Sequence, residues 1–141
     1  NNWSVYASYT DTDAAYIGTG LGPTADAALG AFPGSQVVNT PESMWVLSFD
    51  WNRGPYFAGL STKRVGDRYV DRGNTWKADA YTVADLYLNV RGELVAEYLQ
   101  GFDFGIVVNN VFDESYLGGI SGGGAWIGSP RTAAFTATVD F

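Results

Sequence analysis

The chain of 141 residues contains no cysteine and no histidine, and it has a single methionine. The absence of cysteine excludes disulfides and zinc–thiolate sites. Without histidine, catalytic machinery of the Ser-His-Asp and Cys-His types is excluded as well, so catalysis would depend on carboxylates, lysines, tyrosines or a metal. We therefore expect a protein that is not an enzyme, with no catalytic residue, no cofactor and no metal site.

Basic residues are also scarce: eight lysines and arginines stand against fifteen acidic residues, which gives a net charge of −7. A nucleic-acid partner requires a basic surface and is therefore not expected. No apolar run approaches the ~18 residues that a membrane-spanning helix needs, so the sequence excludes a helical membrane protein. It does not exclude a membrane β-barrel, because barrel strands carry only an alternating pattern.

Six segments alternate between an apolar face and a polar or mixed face, which is the period-two pattern of β-strands. A helical spacing is limited to residues 94–99, which fit one helical turn or the end of a hairpin. We therefore predict an all-β chain, an antiparallel up-and-down meander of about six strands. The six segments are residues 2–10, 44–52, 56–66, 81–92, 102–109 and 131–141.

The connections between these segments alternate in length. Residues 11–41, 67–80 and 112–130 are long and rich in glycine or aspartate, whereas residues 52–55 and 93–100 are short connections. Outer-membrane barrels have this arrangement, because their turns are short on the periplasmic side and long on the extracellular side. The loop lengths therefore favour a membrane barrel.

The composition of the two strand faces indicates the same class. Aromatic residues lie near the ends of the apolar faces, as in the interfacial girdles of membrane barrels, and the polar faces have few lysines and glutamates. A soluble β-sandwich, for instance a carbohydrate-binding module, produces the same alternation and remains the alternative. The aromatic residues concerned are Trp3, Tyr9, Trp45, Trp51, Tyr56, Phe102 and Phe141.

The number of strands decides what kind of barrel is expected. Bacterial single-chain barrels have about eight or more strands, so six are too few to close one. An open sheet in lipid would leave backbone groups unpaired at its two edges, which hydrocarbon does not tolerate. We therefore expect a segment of a large transmembrane β-barrel.

Two sequence blocks carry a family resemblance. Residues 109–116 read Asn-Asn-Val-Phe-Asp-Glu-Ser-Tyr, and residues 128–132 read Gly-Ser-Pro-Arg-Thr before an alternating strand that reaches Phe141. This pattern resembles the carboxyl-terminal β-barrel portion of TonB-dependent outer-membrane receptors, and the similarity extends over residues 39–141. It implies that residues 1–141 are the carboxyl-terminal part of a barrel of about twenty-two strands, with the plug domain and the TonB box absent from this chain.

The resemblance also implies a function, a location and partners. The expected function is TonB-energised uptake of a large, scarce nutrient, a ferric siderophore in the first place, with haem, cobalamin or a glycan as alternatives. The expected location is the outer membrane of a Gram-negative bacterium. The implied partners are the remainder of the receptor barrel and its plug, outer-membrane lipids, the barrel assembly machinery, and TonB only through the missing plug.

Within this frame the three long connections become extracellular loops. Their aromatic residues Tyr16, Trp76, Tyr116 and Trp126 are the expected contacts with substrate. For Phe141, the resemblance implies part of the signal that the outer-membrane assembly machinery reads.

The motif residues also have expected architectural roles. The amides of Asn109 and Asn110 are expected to satisfy backbone groups of a loop, and Asp113 to form an Asx-turn. Arg131 is expected at a rim, where its guanidinium pairs with a carboxylate or a lipid phosphate. Residues 118–124 contain five glycines but precede no helix pattern, so a phosphate-binding loop is not expected and a flexible loop is.

Overall fold

A computed structural model of the chain describes residues 2–30 and 32–140. Short 3₁₀ turns lie at Gly92–Leu94 and Glu97–Leu99. In the described part of the chain, no helix has the length and apolar character needed to cross a membrane. In chain order, the elements are β1 (Asn2–Asp11), α1 (Pro23–Ala28), β2 (Ser43–Arg53), β3 (Tyr56–Val65), β4 (Arg68–Tyr69), β5 (Lys77–Ala78), β6 (Tyr81–Arg91), β7 (Phe102–Asn109), β8 (Leu117–Ser121), β9 (Gly124–Ile127) and β10 (Thr132–Val139).

Six of the strands form one antiparallel sheet in the order β1-β2-β3-β6-β7-β10. Each strand pairs with the next long strand along the chain, which is the up-and-down meander that the sequence predicts. The prediction is confirmed, and the strand bounds agree with it to within two residues at every described end. Strands β1 and β10 are the two edges of the sheet, and in the described residues neither has a partner on its outer side.

The register places the apolar residues of the six strands on one face. Val5, Phe49, Leu60, Leu86 and Val108 form one continuous row across five strands. Four of these side chains keep between 42% and 65% of their surface exposed. Removing apolar surface from water stabilises a protein by roughly 25 cal/mol per Å². In water this face would lack that stabilisation, so it is suited to contact with hydrocarbon.

Aromatic residues stand at both ends of this apolar face. Trp3 packs against Phe49 and Trp51, with ring centroids 4.9 and 5.8 Å apart, near the rim with the short turns. Tyr9 lies opposite Trp45 near the rim with the long connections. Trp3 and Tyr9 are six positions apart on one extended strand, roughly 20 Å along it, so an apolar stretch lies between two aromatic ends, as in barrels with interfacial girdles.

The opposite face is polar and is held by hydroxyl and carboxylate contacts. The Asp50 carboxylate accepts hydrogen bonds from the hydroxyl of Tyr87 and from Ser4 Oγ, the latter at 3.3 Å. Gly59 lies opposite Tyr87 in the register, and a Cβ at this glycine would overlap the Tyr87 ring. A concavity of about 530 Å³ opens near the short-turn rim, where polar residues such as Asn89 line it. This face fits the lumen wall of a barrel.

The two most completely buried hydrophobic side chains among the described residues, Val70 and Ala78, lie outside the six-stranded sheet, in one of the long connections. Val70, Ala78 and Ile120 form an apolar cluster, against which Val38, Leu117 and Ala125 pack. Val70 is the largest side chain that is fully buried among the described residues. The long connections therefore fold together as a small core of their own.

Residues 118–124 do not form the flexible loop that the sequence led us to expect. They belong to a hairpin in which β8 pairs with β9, and Ile120 in this hairpin is buried. Gly122 and Gly123 connect the strands with φ of 59° and 77°, the pair of positive values that a two-residue hairpin turn requires. The expectation was wrong because glycine-rich composition fits a tight hairpin turn as well as it fits a loose loop.

Candidate functional site

Three long loops lie at the same rim of the sheet because the strands alternate in direction. We call them the first loop (residues 12–42), the second loop (residues 66–80) and the third loop (residues 110–131). The first loop contains α1, the second contains the β4–β5 hairpin, and the third contains the β8–β9 hairpin. Together they form the long-loop rim, which is the candidate site.

The first and second loops are joined by paired hydrogen bonds. The backbone N–H of Gln36 donates to Asn74 Oδ1 at 2.7 Å, and Asn74 Nδ2 donates to the backbone oxygen of Gln36 at 3.1 Å. Close by, the backbone N–H of Asn39 donates to the oxygen of Tyr69 at 3.0 Å. Asn74 has a φ of 55°, a conformation that asparagine tolerates better than most residues.

Arg68 joins the second loop to both of the others. It is buried, with 5% of its surface exposed. Its Nη1 donates to Asn39 Oδ1 in the first loop at 3.0 Å, and its Nη2 donates to the backbone oxygen of Leu117 in the third loop. Its guanidinium lies over the ring of Tyr81, 5.5 Å from the ring centroid. Arg68 was not among the predicted site residues, because nothing in the local sequence pattern distinguishes a buried loop arginine from a solvated one.

Asn110 organises the base of the third loop. It is 4% exposed, and its backbone N–H donates to Asp85 Oδ1 at 2.8 Å. Its Nδ2 donates to the backbone oxygens of Glu114 and Ser129, at 2.9 and 3.1 Å, while its Oδ1 accepts from the Glu114 N–H at 2.9 Å. The predicted role of this amide in satisfying loop backbone groups is confirmed. Asn109 differs, since its amide donates to Thr132 Oγ1 at 3.2 Å.

Asp113 and Arg131 pair at the end of the third loop. Asp113 Oδ1 accepts from the backbone N–H of Arg131 at 3.0 Å, and the guanidinium of Arg131 lies 3.8 Å from Asp113 Oδ2. The predicted pairing of Arg131 with a carboxylate is confirmed. The predicted Asx-turn is wrong, because the Asp113 side chain reaches across the loop to residue 131 instead of to a backbone group two residues ahead.

The four aromatic residues predicted to contact substrate fall into two groups. Trp76 and Trp126 are 46% and 59% exposed at the surface of the second and third loops. Tyr16 and Tyr116 are half-buried and serve in packing: the guanidinium of Arg72 lies 6.0 Å from the Tyr16 ring centroid, and Tyr116 stacks on Tyr81 at 4.2 Å. Among the described aromatic contacts, none joins two of the four predicted residues. Phe141, predicted as an assembly signal, lies outside the described residues.

Two carboxylates of the rim, those of Asp71 and Asp67, have pKa values below the ordinary value of aspartate. Hydrogen bonds from the backbone N–H groups of Trp76 and Thr75 lower the pKa of Asp71. The ion pair with Lys77 lowers the pKa of Asp67 and raises that of the lysine. In the part of the chain that the structure describes, no group of three or more acidic residues is arranged to hold a metal ion.

A pocket of about 500 Å³ opens between the second and third loops. Tyr81 and Tyr116 form part of its wall, together with the charged residues Lys77 and Glu114 and the apolar Ile127. Pockets of this size with aromatic walls and a few polar groups accommodate small ligands or part of a large one. The rim therefore offers exposed aromatic, charged and hydrogen-bonding groups to a ligand.

The fold and the apolar outer face define a class: the chain is a segment of a large transmembrane β-barrel. No family model matches the chain. Its sequence is 30% identical over 141 residues to the ferrichrome outer membrane transporter/phage receptor of Escherichia coli strain K12, a match that covers 98% of the chain and 18% of that protein.

Solved structures agree in fold. The siderophore receptor PiuA from Acinetobacter baumannii superposes with a TM-score of 0.75 at 20% identity, over 97% of this chain and 19% of the receptor. The ferric-catecholate import receptor Fiu from Escherichia coli K12 in its closed form gives 0.69 at 23% identity, over 99% of this chain and 19% of the receptor. The chain thus spans about a fifth of the length of the relatives that it matches.

The sequence comparison and the structural comparisons show a likeness to the same kind of protein. The chain is similar in sequence and in fold to barrel segments of TonB-dependent outer-membrane receptors, and the resemblance seen in its motifs is confirmed. Its place is accordingly the outer membrane of a Gram-negative bacterium. The relatives are transporters and receptors, not enzymes.

Proposed function

We propose that the chain forms barrel wall and extracellular loops of a receptor that imports a ferric siderophore with energy delivered through TonB. One observation carries the proposal. The six-stranded sheet has an exposed apolar face and, opposite it, a polar face with a concavity, and three loops pack together at one of its rims. The names of the relatives support the substrate class, since they include a ferrichrome transporter and a ferric-catecholate import receptor.

In this proposal residues 1–141 are the carboxyl-terminal part of the barrel. The free edges of β1 and β10 pair with the remaining strands of the receptor, which removes the unpaired backbone groups that lipid does not tolerate. The plug and the TonB box belong to the rest of the receptor, so this segment meets TonB only through them. Outer-membrane lipids cover the apolar face, and the barrel assembly machinery inserts the protein.

The chain's own residues contribute binding and no chemical step. The exposed rings of Trp76 and Trp126 offer apolar and π surface to a large ligand, while Tyr16 and Tyr116 hold the loops in position. Ligand captured at the rim passes the polar wall around Asp50 and Tyr87 once the lumen opens. Such a role is that of a transporter segment and not of an enzyme.

The alternative of a soluble β-sandwich is not favoured. A sandwich needs a second sheet packed about 10 Å from the apolar face of the first. In the described residues the other strands form only two short hairpins, which belong to the loops, and the apolar face of the six-stranded sheet is uncovered.

Uptake of ⁵⁵Fe tests the proposal in a strain whose other siderophore receptors are deleted and which expresses the receptor containing this chain. Ferrichrome, a ferric catecholate and ferric citrate are supplied in turn, and haem and cobalamin serve as controls for the substrate class. We expect uptake of at least one ferric complex that disappears in a TonB-deficient strain. Import of haem or cobalamin without any ferric complex would overturn the substrate class, and uptake independent of TonB would overturn the energy source.

A further inference from the structure

Arg68 occupies a central position in the long-loop rim. Its two acceptors lie far away along the chain, Asn39 by 29 residues and Leu117 by 49. Among the described side chains it is the one that hydrogen-bonds to both of the other loops. The hydrogen bonds of the Asn74 and Arg72 side chains to another loop join the second loop to the first alone.

The surroundings of Arg68 leave it little freedom. The side chain is 5% exposed, its guanidinium covers the Tyr81 ring, and Tyr81 in turn stacks on Tyr116 of the third loop. Its Nε is buried and has no hydrogen-bond partner among the described residues. A buried polar group without a partner is costly, so the other contacts of Arg68 must repay that cost.

The planar fork of the guanidinium suits this task. Its two terminal nitrogens diverge in one plane and reach acceptors on two different loops at the same time. The ammonium of a lysine is a point charge and cannot reproduce that divergence. The apolar contacts between the loops are few, since the cluster of Val70, Ala78 and Ile120 is small, and a single polar residue can therefore decide how the loops are arranged.

We propose that Arg68 is a positioning residue that couples the three long loops into one preorganised surface. Through Leu117 it fixes the β8–β9 hairpin, and with it the exposed Trp126, relative to the first and second loops. That this surface binds the imported ligand rests on the proposed function, whereas the coupling of the loops does not.

Distance measurement between the first and third loops tests the coupling in the full receptor, reconstituted without ligand. Spin labels are attached to Thr24→Cys in α1 and Ser121→Cys in β8, both exposed positions in a chain that has no cysteine of its own; other cysteines of the receptor are replaced by serine. We expect one narrow distance distribution, which Arg68→Met broadens roughly twofold because the loops move independently. Arg68→Lys should give an intermediate width.

Two further variants separate coupling from general damage. Arg131→Met removes a guanidinium from the same rim whose partners, Asp113 and the Val111 oxygen, lie within the third loop, and it should leave the width unchanged. Asn39→Gly removes one acceptor of Arg68 at a residue with a φ of 58°, which glycine accepts. It should broaden the distribution even if Arg68→Met fails to insert into the membrane.

The outcomes distinguish this inference from the proposed function. An unchanged distribution in Arg68→Met, or in Asn39→Gly where the first variant does not insert, would overturn the coupling. Binding of ⁵⁵Fe-loaded ferrichrome and of a ferric catecholate is then measured in the same variants. We expect about tenfold weaker affinity with a maximal uptake rate changed less than about twofold. A broadened distribution with unchanged affinity would uphold the coupling and contradict the loops as the ligand-binding surface.

Discussion

Two neighbouring residues in the middle of β7 give a direct test of which face of the sheet meets lipid. Ile106 lies on the apolar face and Val107 on the polar face, and they are exposed to similar extents, 43% and 39%. Their side chains are similar in size and chemistry, and they share one strand and one depth. Replacing each in turn by arginine therefore changes little except the face on which the charge is placed.

The two arginine substitutions are expected to reduce the free energy of unfolding by very different amounts. A charge on the lipid face of a barrel costs about 2–4 kcal/mol near the middle of the bilayer, which changes the folding equilibrium roughly 30-fold to 700-fold. At Val107 the same side chain enters the polar face beside Tyr87, its neighbour in the register, where water and hydroxyl groups solvate it. We expect a cost of at most about 1 kcal/mol for Val107→Arg.

Urea titration of the receptor in phospholipid vesicles measures the difference. Tryptophan fluorescence reports unfolding, and this segment alone contributes five tryptophans. The transition of Ile106→Arg should move to clearly lower urea than that of Val107→Arg, with little change in its slope. Equal costs, or a greater cost for Val107→Arg, would refute the assignment of the apolar face to lipid.

Three further predictions concern the lumen wall and the loops. Gly59→Val places a side chain where the Tyr87 ring lies and should cost about 1–3 kcal/mol, but in combination with Tyr87→Ala, which removes the ring, the cost should be less than the sum of the two; additive costs in thermal unfolding would contradict the contact. Asn110→Ala leaves backbone groups of the third loop without partners, so an external protease should cleave this loop faster on intact cells, and equal rates would argue against its role. The Asp67–Lys77 ion pair lowers the pKa of the aspartate and raises that of the lysine, so its stabilisation is complete between their ordinary values of 3.8 and 10.5. It is lost as pH falls through the lowered pKa or rises through the raised one. The protection of second-loop amides from hydrogen exchange, relative to their intrinsic exchange rate at each pH, should be greatest within this pH range. Lys77→Met should abolish the loss of protection at alkaline pH.

The sheet was predictable from the sequence because each strand carries its own signal. Along β7 the apolar side chains of Phe102, Phe104, Ile106 and Val108 recur at every second residue, and the period of two alone defines both the strand and its faces. The short connections also predicted that β2 pairs with β3 and β6 with β7, and the alternation of short and long connections indicated the meander as a whole. Local alternation therefore contained most of the fold.

The long-loop rim was not predictable in the same way, because its structure depends on contacts between distant residues. Helix α1 has six residues, too few to show a helical period. The burial of Arg68 depends on hydrogen-bond acceptors in two other loops. The packing of Tyr116 depends on Tyr81, which precedes it by 35 residues in the sequence. The sequence placed Trp126 in a loop, as the structure does. It did not show that Trp76 and Trp126 are exposed whereas Tyr16 and Tyr116 pack within the loops.

The shared core of the loops restricts how such receptors can be varied or engineered. Val70 and Ala78 come from the second loop, Ile120 from the third and Val38 from the first, so each loop supplies part of the packing of the others. Grafting a single loop from a related receptor would leave its neighbours with cavities and clashes. Exchange of specificity between receptors should succeed when the three loops are transferred as a set, and natural variation at positions 38, 70, 78 and 120 should be correlated.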